Sequence, residues 1–159
     1  MKAVTVSILK RELRQHSQED LIEICLQLAK FKKENKELLT YVLFDSNDEE
    51  EYIRSIKEEM DLGFSTLNHD SLYFVKKSTR KILRLIKKHI RYSKKKQTEA
   101  DVLLYFCTKL RQLKPAHKRS QQMINMYERQ LIMAKKAISS LHEDLQYDFN
   151  LELEKLEGK

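Results

Sequence analysis

Two glycines and one proline are all that punctuate the backbone of this 159-residue chain. That scarcity constrains the fold more than any other feature. A Rossmann loop, a P-loop or a set of tight hairpins needs glycine at defined positions. A sandwich or barrel needs turn residues at the ends of its strands. Gly63, Gly158 and Pro115 are too few for any of these, so the chain is expected to be helical. Leu, Ile, Val and Phe supply 45 residues. That is about 28% of the chain, above the roughly 20% below which disorder sets in, so a packed core is within reach. Charged residues make up 35%. Long Lys, Glu and Arg side chains are good helix formers and suit exposed helix faces.

Apolar residues recur with helical periodicity along almost the whole chain, and no two-residue alternation competes with it. A short helix is expected from Ser7 to about Gln15. Ser17, with Asp20 three residues on, reads as the cap of a second helix with Leu21, Ile24, Cys25, Leu28 and Phe31 on one face. Asn35 reads as the cap of a third helix, with Leu38, Leu39, Val42 and Leu43 facing inward. Asp45-Ser46-Asn47-Asp48 is a turn cluster. Glu49, Glu50 and Glu51 then fall in a first helical turn, where negative charge complements the macrodipole. That helix carries Tyr52, Ile53, Ile56, Met60 and Leu67, with Gly63 interrupting it or near its end.

Asp70 is the expected N-cap of a long helix from Ser71 to Ser93. Lys94 to Gln97 reads as a loop and Thr98 as the next cap. The helix after it buries Val102, Leu103, Phe106 and Leu110, and Pro115 stops it. From His117 to Glu157 the apolar stripe runs through Ile124, Tyr127, Leu131, Ala134, Ile138, Leu141, Leu145, Phe149, Leu153 and Leu156. Its spacing starts as a heptad and then drifts. This stretch is one helix or two, and a break near Ser139-Ser140, with Ser140 and Glu143 as a capping box, is the favoured reading.

The expected fold is therefore all-α, a single domain over 1–159, built as an antiparallel bundle or short α-solenoid of seven to eight helices. A solenoid should show a repeat. Ser17 to Ile22 and Thr98 to Leu103 match for one turn and then diverge. The segment Glu34-Asn35-Lys36-Glu37-Leu38-Leu39-Thr40-Tyr41-Val42-Leu43-Phe44, following the helix that begins at Ser17, resembles a family of small, all-helical bacterial proteins of unassigned function. The resemblance covers about the first hundred residues. It implies a cytosolic helical domain and carries over no catalytic residue, cofactor or partner.

The net charge of +7 hides a strong segregation. Residues 1–70 carry 10 basic and 15 acidic side chains, residues 71–141 carry 19 and 3, and residues 142–159 carry 2 and 6. No Asp or Glu occurs from Ser71 to Thr98, and eleven Lys or Arg fall between Lys76 and Lys96. On a helical wheel, Lys76, Lys87, Arg80, Arg91, Arg84, Lys77, Lys88 and Lys81 occupy a continuous arc of about 140°. Val75, Ile82, Leu83, Ile86 and Ile90 form the opposite, buried face, and His89 lies off the arc.

This arc is the candidate partner-binding surface, with Lys76, Arg80, Arg84, Lys87, Lys88 and Arg91 as its contacts. The expected partner is an acidic protein, and the protein is read as a non-enzymatic interaction module. The alternative is nonspecific nucleic-acid binding, since cations tracking phosphates release counterions without reading sequence. Tyr73, beside the arc, is positioned to stack on a base. Against both stands an internal explanation. The acidic helix of Asp45 to Asp61, or the acidic tail after His142, can cover the arc within the chain itself.

No catalytic, cofactor or metal site emerges from the sequence. His16, His69, His89, His117 and His142 are scattered, with no HExxH or Glu-x-x-His pair. Cys25 and Cys107 read as buried free thiols of a reducing compartment. Met123, Met126 and Met133 read as core filler. The N-terminus lacks a signal-peptide apolar region. The longest uncharged apolar runs, Leu38 to Phe44 and Val102 to Thr108, fall far short of the roughly 20 residues of a membrane span. A cytoplasmic protein without a membrane partner is expected. The stripe from Ile124 to Leu141 closes either the monomer's own core or a contact with a second copy.

Overall fold

The structure, a computed structural model, describes residues 1–113 and 120–158. It is all-helical, with eight α-helices and no strand among the described residues. The chain divides into two compact units, 1–44 and 45–159.

The first unit holds α1 (Val6–Leu13), α2 (Gln18–Phe31) and α3 (Lys33–Leu43). Ser17 caps α2 as expected, its side chain accepting from the Asp20 N–H at 3.1 Å. Asn35 does not cap α3. The helix starts at Lys33 after one extended residue, Lys32. Asn35 sits inside the first turn, where its Nδ2 donates to the Leu28 carbonyl at 2.8 Å and ties α3 to α2. Tyr41 alone is buried in this unit. Cys25, expected to be buried, is exposed. The apolar stripe of α2 is only partly covered, and Ile22, Leu26, Leu28 and Phe31 remain exposed with it.

The second unit opens on a 3₁₀ turn, Asp45–Asn47, and continues through α4 (Glu49–Ser65), α5 (Leu72–Ser93), α6 (Lys96–Gln112), α7 (Gln121–Ser139) and α8 (Glu143–Glu157). Asp48 caps α4, accepting from the Glu51 N–H at 3.0 Å. Ser71, one residue beyond the expected Asp70, caps α5 through the Phe74 N–H. The chain leaves α5 at Lys94, whose φ of 58° is left-handed. Glycine is the usual residue there, and a glycine-poor chain uses lysine. Thr98 is not a cap. α6 begins two residues earlier, and Thr98 lies inside it, buried, donating to Glu49 of α4.

α6 is the centre of this unit and packs against α4, α5, α7 and α8. Its apolar residues point in all directions, as a helix enclosed on every side requires. Ala100, Val102, Leu103, Leu104, Phe106, Cys107 and Leu110 are all buried. The Phe106 ring meets Phe64 of α4 at 5.8 Å between centroids. Asp61 of α4 accepts from Tyr105 at 2.8 Å and pairs with Lys109 at 2.7 Å, while Lys57 pairs with Asp101 at 2.6 Å. A Cβ on Gly63 would stand 3.0 Å from Ile82 Cγ1, so this glycine permits close approach of α4 to α5. The break expected near Ser139 is present. Its cap is His142, accepting from the Asp144 N–H, in place of the Ser140–Glu143 box. Pro115 and His117 lie outside the described residues. No helix among the described residues is long and apolar enough to cross a membrane.

The two thiols differ sharply. Burial pushes the Cys107 pKa up to about 12, which leaves almost no thiolate at neutral pH. A disulfide-exchange reagent at pH 8 is expected to modify one thiol per native chain and two in denaturant. Cys25→Ser should remove the fast reaction, and fast labelling that persists in this variant would place Cys107 at the surface.

Candidate functional site

The basic arc lies along α5 where the wheel places it. Arg80, Arg84 and Arg91 are exposed and Lys76, Lys87 and Lys88 are half-buried. Among the described residues, Lys76, Arg80, Arg84, Lys87 and Arg91 enter no salt bridge. Several of the carboxylates that were candidates to cover them are engaged elsewhere. Glu49 meets Ser93, Thr98 and Lys95, Glu51 and Glu58 meet Arg54, and Asp61 meets Tyr105 and Lys109. Glu59 bonds His89 at 3.1 Å, and the Tyr52 hydroxyl lies 3.2 Å from His89 Nδ1. His89 thus fills the α4 side of α5, off the arc. The acidic α8 packs on α6 and α7. Its Glu157 pairs with Lys135 at 3.8 Å.

What the wheel does not show is the second wall. Lys76 Nζ and Arg80 Nη2 donate to Gln122 Oε1 of α7 at 3.2 and 3.0 Å. Farther along, Lys87 Nζ lies 3.7 Å from Met133 Sδ. Early residues of α5 face early residues of α7, and late face late, so these two helices run parallel. Each packs on α6, and side chains bridge the space between them. The result is an elongated cleft of two adjoining hollows, about 550 and 730 Å³, that share Arg80, Leu83, Lys87 and Gln122. From Lys76 to Lys87 the basic wall runs about 16 Å.

The cleft has a defined chemistry. Lys76, Lys77, Arg80, Arg84 and Lys87 come from α5, and Arg129 comes from α7. Burial lowers the Lys87 pKa, the nearby Arg129 charge adds to this, and Glu99 opposes it. Like charges held this close favour an anion between them. No Asp or Glu lines either hollow. Leu83, Met126, Ile132 and Met133 supply apolar surface. Tyr73, 63% exposed, stands at the Lys76 end.

Of the six predicted residues, Lys76, Arg80, Arg84 and Lys87 converge on this cleft. Lys88 lines a separate hollow between α4 and α5 with Glu59, Lys81 and Arg84. Arg91 lies on the same helix outside both. Met133, expected in the core, is exposed in the cleft, whereas Met123 and Met126 are buried. The α7 contributors escaped the sequence reading, although one signal was present. Met123, Gln130 and Ala137 fall on one seven-residue line and all are buried. The glutamine interrupts an otherwise apolar row.

No protein-family model, curated protein or solved structure matches the chain. The resemblance carried by residues 34–44 lies outside the cleft. The site therefore rests on its own geometry.

Proposed function

We propose that this protein is a non-enzymatic helical interaction module that captures an acidic protein partner on the basic face of α5. The observation that carries this reading is the cleft itself, cationic on both walls and free of lining carboxylates, with Lys76, Arg80, Arg84 and Lys87 in no salt bridge among the described residues. Cations presented this way speed encounter with an acidic partner and disfavour basic ones. Apolar surface between the charges favours a protein over a bare polyanion. Two unpaired cysteines fit a reducing, cytoplasmic setting.

A second reading, nonspecific nucleic-acid binding, is favoured by Tyr73, exposed beside Lys76 and Lys77 at the cleft's end. Both ligands lose affinity with salt, so direct comparison of the two separates the readings. A single strand neutralised at five phosphates should lose about a hundredfold in affinity between 50 and 200 mM salt.

The test is fluorescence anisotropy with a labelled peptide that mixes glutamate with leucine and a single-stranded oligonucleotide of equal length. The peptide is expected to bind more tightly. The triple variant R80E/R84E/K87E is expected to lose at least tenfold in peptide affinity with an unchanged circular-dichroism spectrum, since the three side chains are exposed or half-buried. Tighter binding of the oligonucleotide selects the second reading. Peptide binding that survives charge reversal removes α5 from the site.

A further inference from the structure

Gln130 is a polar residue in an apolar place. It is 2% exposed and lines the α5/α7 cleft. Its Nε2 donates to the Met126 carbonyl at 3.1 Å, while its Oε1 is buried without a hydrogen-bond partner among the described residues. The bond to Met126 fixes the amide orientation, because flipping it would set two carbonyl oxygens against each other. A buried acceptor left in this state is rare and destabilising. Gln130 is one of the residues lining the cleft, so a ligand seated there is placed to supply the missing donor.

That requirement narrows the ligand. Carboxylates match Arg80, Lys87 and Arg129, but they donate nothing at neutral pH. A phosphodiester backbone is likewise acceptor-only, and although nucleobases carry N–H donors, their flat faces suit Tyr73 at the far end better than the aliphatic Leu83, Met126 and 67%-exposed Ile132. A peptide supplies all three groups. In a helical peptide the interior N–H groups are already committed, whereas an extended one keeps them free and sends alternate side chains to opposite sides.

Resting on the reading above, we infer that the cleft takes an extended acidic segment of a partner protein, with apolar side chains between its carboxylates and a backbone N–H donated to Gln130 Oε1. The carboxylates meet cations on both walls, the apolar side chains cover Leu83 and Met126, and the orphaned acceptor gains its donor.

The experiment is selection of a random twelve-residue displayed-peptide library against the full chain at low salt. Enriched peptides are expected to interleave Asp or Glu with Leu, Ile, Phe or Met. A synthetic winner is then compared with polyglutamate of equal length on wild type, Gln130→Leu and Gln130→Met. The winner should bind at least tenfold more tightly than polyglutamate. Both substitutions should weaken it about tenfold and leave the melting temperature equal or higher. N-methylation of the winner at one backbone position should reproduce the loss on wild type and have no further effect on Gln130→Leu. Winners without apolar residues, or affinity indifferent to both Gln130 substitutions, would overturn the inference. If polyglutamate then still binds in a charge-dependent way, the broader acidic-partner reading stands. An oligonucleotide that outcompetes the winner overturns both.

Discussion

Phe106→Ala is expected to lower the unfolding free energy by about 3–5 kcal/mol, the range for truncating a fully buried aromatic. Phe106 has no exposed surface, and its ring rests on Phe64. The cavity left behind would be bounded by Leu103, Leu110 and other fully buried residues of a helix packed on four neighbours. Interiors this dense relax only in part. Phe106→Leu, which keeps most of the volume, should cost less than about 2 kcal/mol. Urea unfolding followed by circular dichroism measures both. The slope should stay constant while the midpoint falls, because the variant exposes the same surface on unfolding. A loss below about 1 kcal/mol for the alanine variant would contradict the central place of α6. Small domains have only about 5–15 kcal/mol to lose, so this is the most damaging single truncation expected.

Much of this architecture was legible in the sequence because it depends on local chemistry. Ser17 and Asp48 mark helix starts through side chains that reach backbone N–H groups three residues away, and the cap of α5 falls one residue from the expected Asp70. The break after Ser139 and the cationic arc of α5 are also local, since both follow from spacing along one helix. What failed was assigned locally but decided by tertiary contacts. Asn35 and Thr98 have the composition of caps, yet each side chain reaches another helix, Leu28 in α2 and Glu49 in α4. Cys25 lies in an apolar stripe that the first unit leaves partly uncovered. The second wall of the cleft is of the same kind. Arg129, Gln122 and Met133 join α5 only because both helices pack on α6. The wheel of α5 carries no record of α7.

Thr98 leads to the second large effect. Glu49→Ala is expected to destabilise the chain by about 2–4 kcal/mol, although the sequence presents Glu49 as one of three acidic residues in a first turn. Its carboxylate accepts from the hydroxyls of Ser93 and Thr98 and pairs with Lys95 at 3.0 Å. Thr98 is fully buried and Ser93 nearly so. Hydrogen bonds to a charged group contribute about 1.5–3 kcal/mol each, and a buried hydroxyl deprived of its acceptor carries its own desolvation cost. Lys95 is exposed, and its pair adds under about 1 kcal/mol. Glu49→Gln retains an acceptor and should lose about half as much.

Two controls separate this tie from the helix-dipole role of the first turn. Glu50→Ala removes an exposed charge from the same turn and should cost only about 0.3–1 kcal/mol. Asp48, which caps α4 through the Glu51 N–H, is untouched in both variants, so α4 keeps its start. In a double-mutant cycle, Glu49→Ala and Thr98→Val should be non-additive by about 1–2 kcal/mol, because each removes the same bond. Additive losses would mean that Glu49 acts through the dipole and that the α5–α6 turn is held by its backbone alone. Non-additivity would establish that a carboxylate from the acidic helix anchors the turn that sets α5 against α6. The charge segregation then has two separate consequences. Glu49 and Asp61 tie the acidic helix to its neighbours, and Lys76, Arg80, Arg84 and Lys87 of α5 face the cleft.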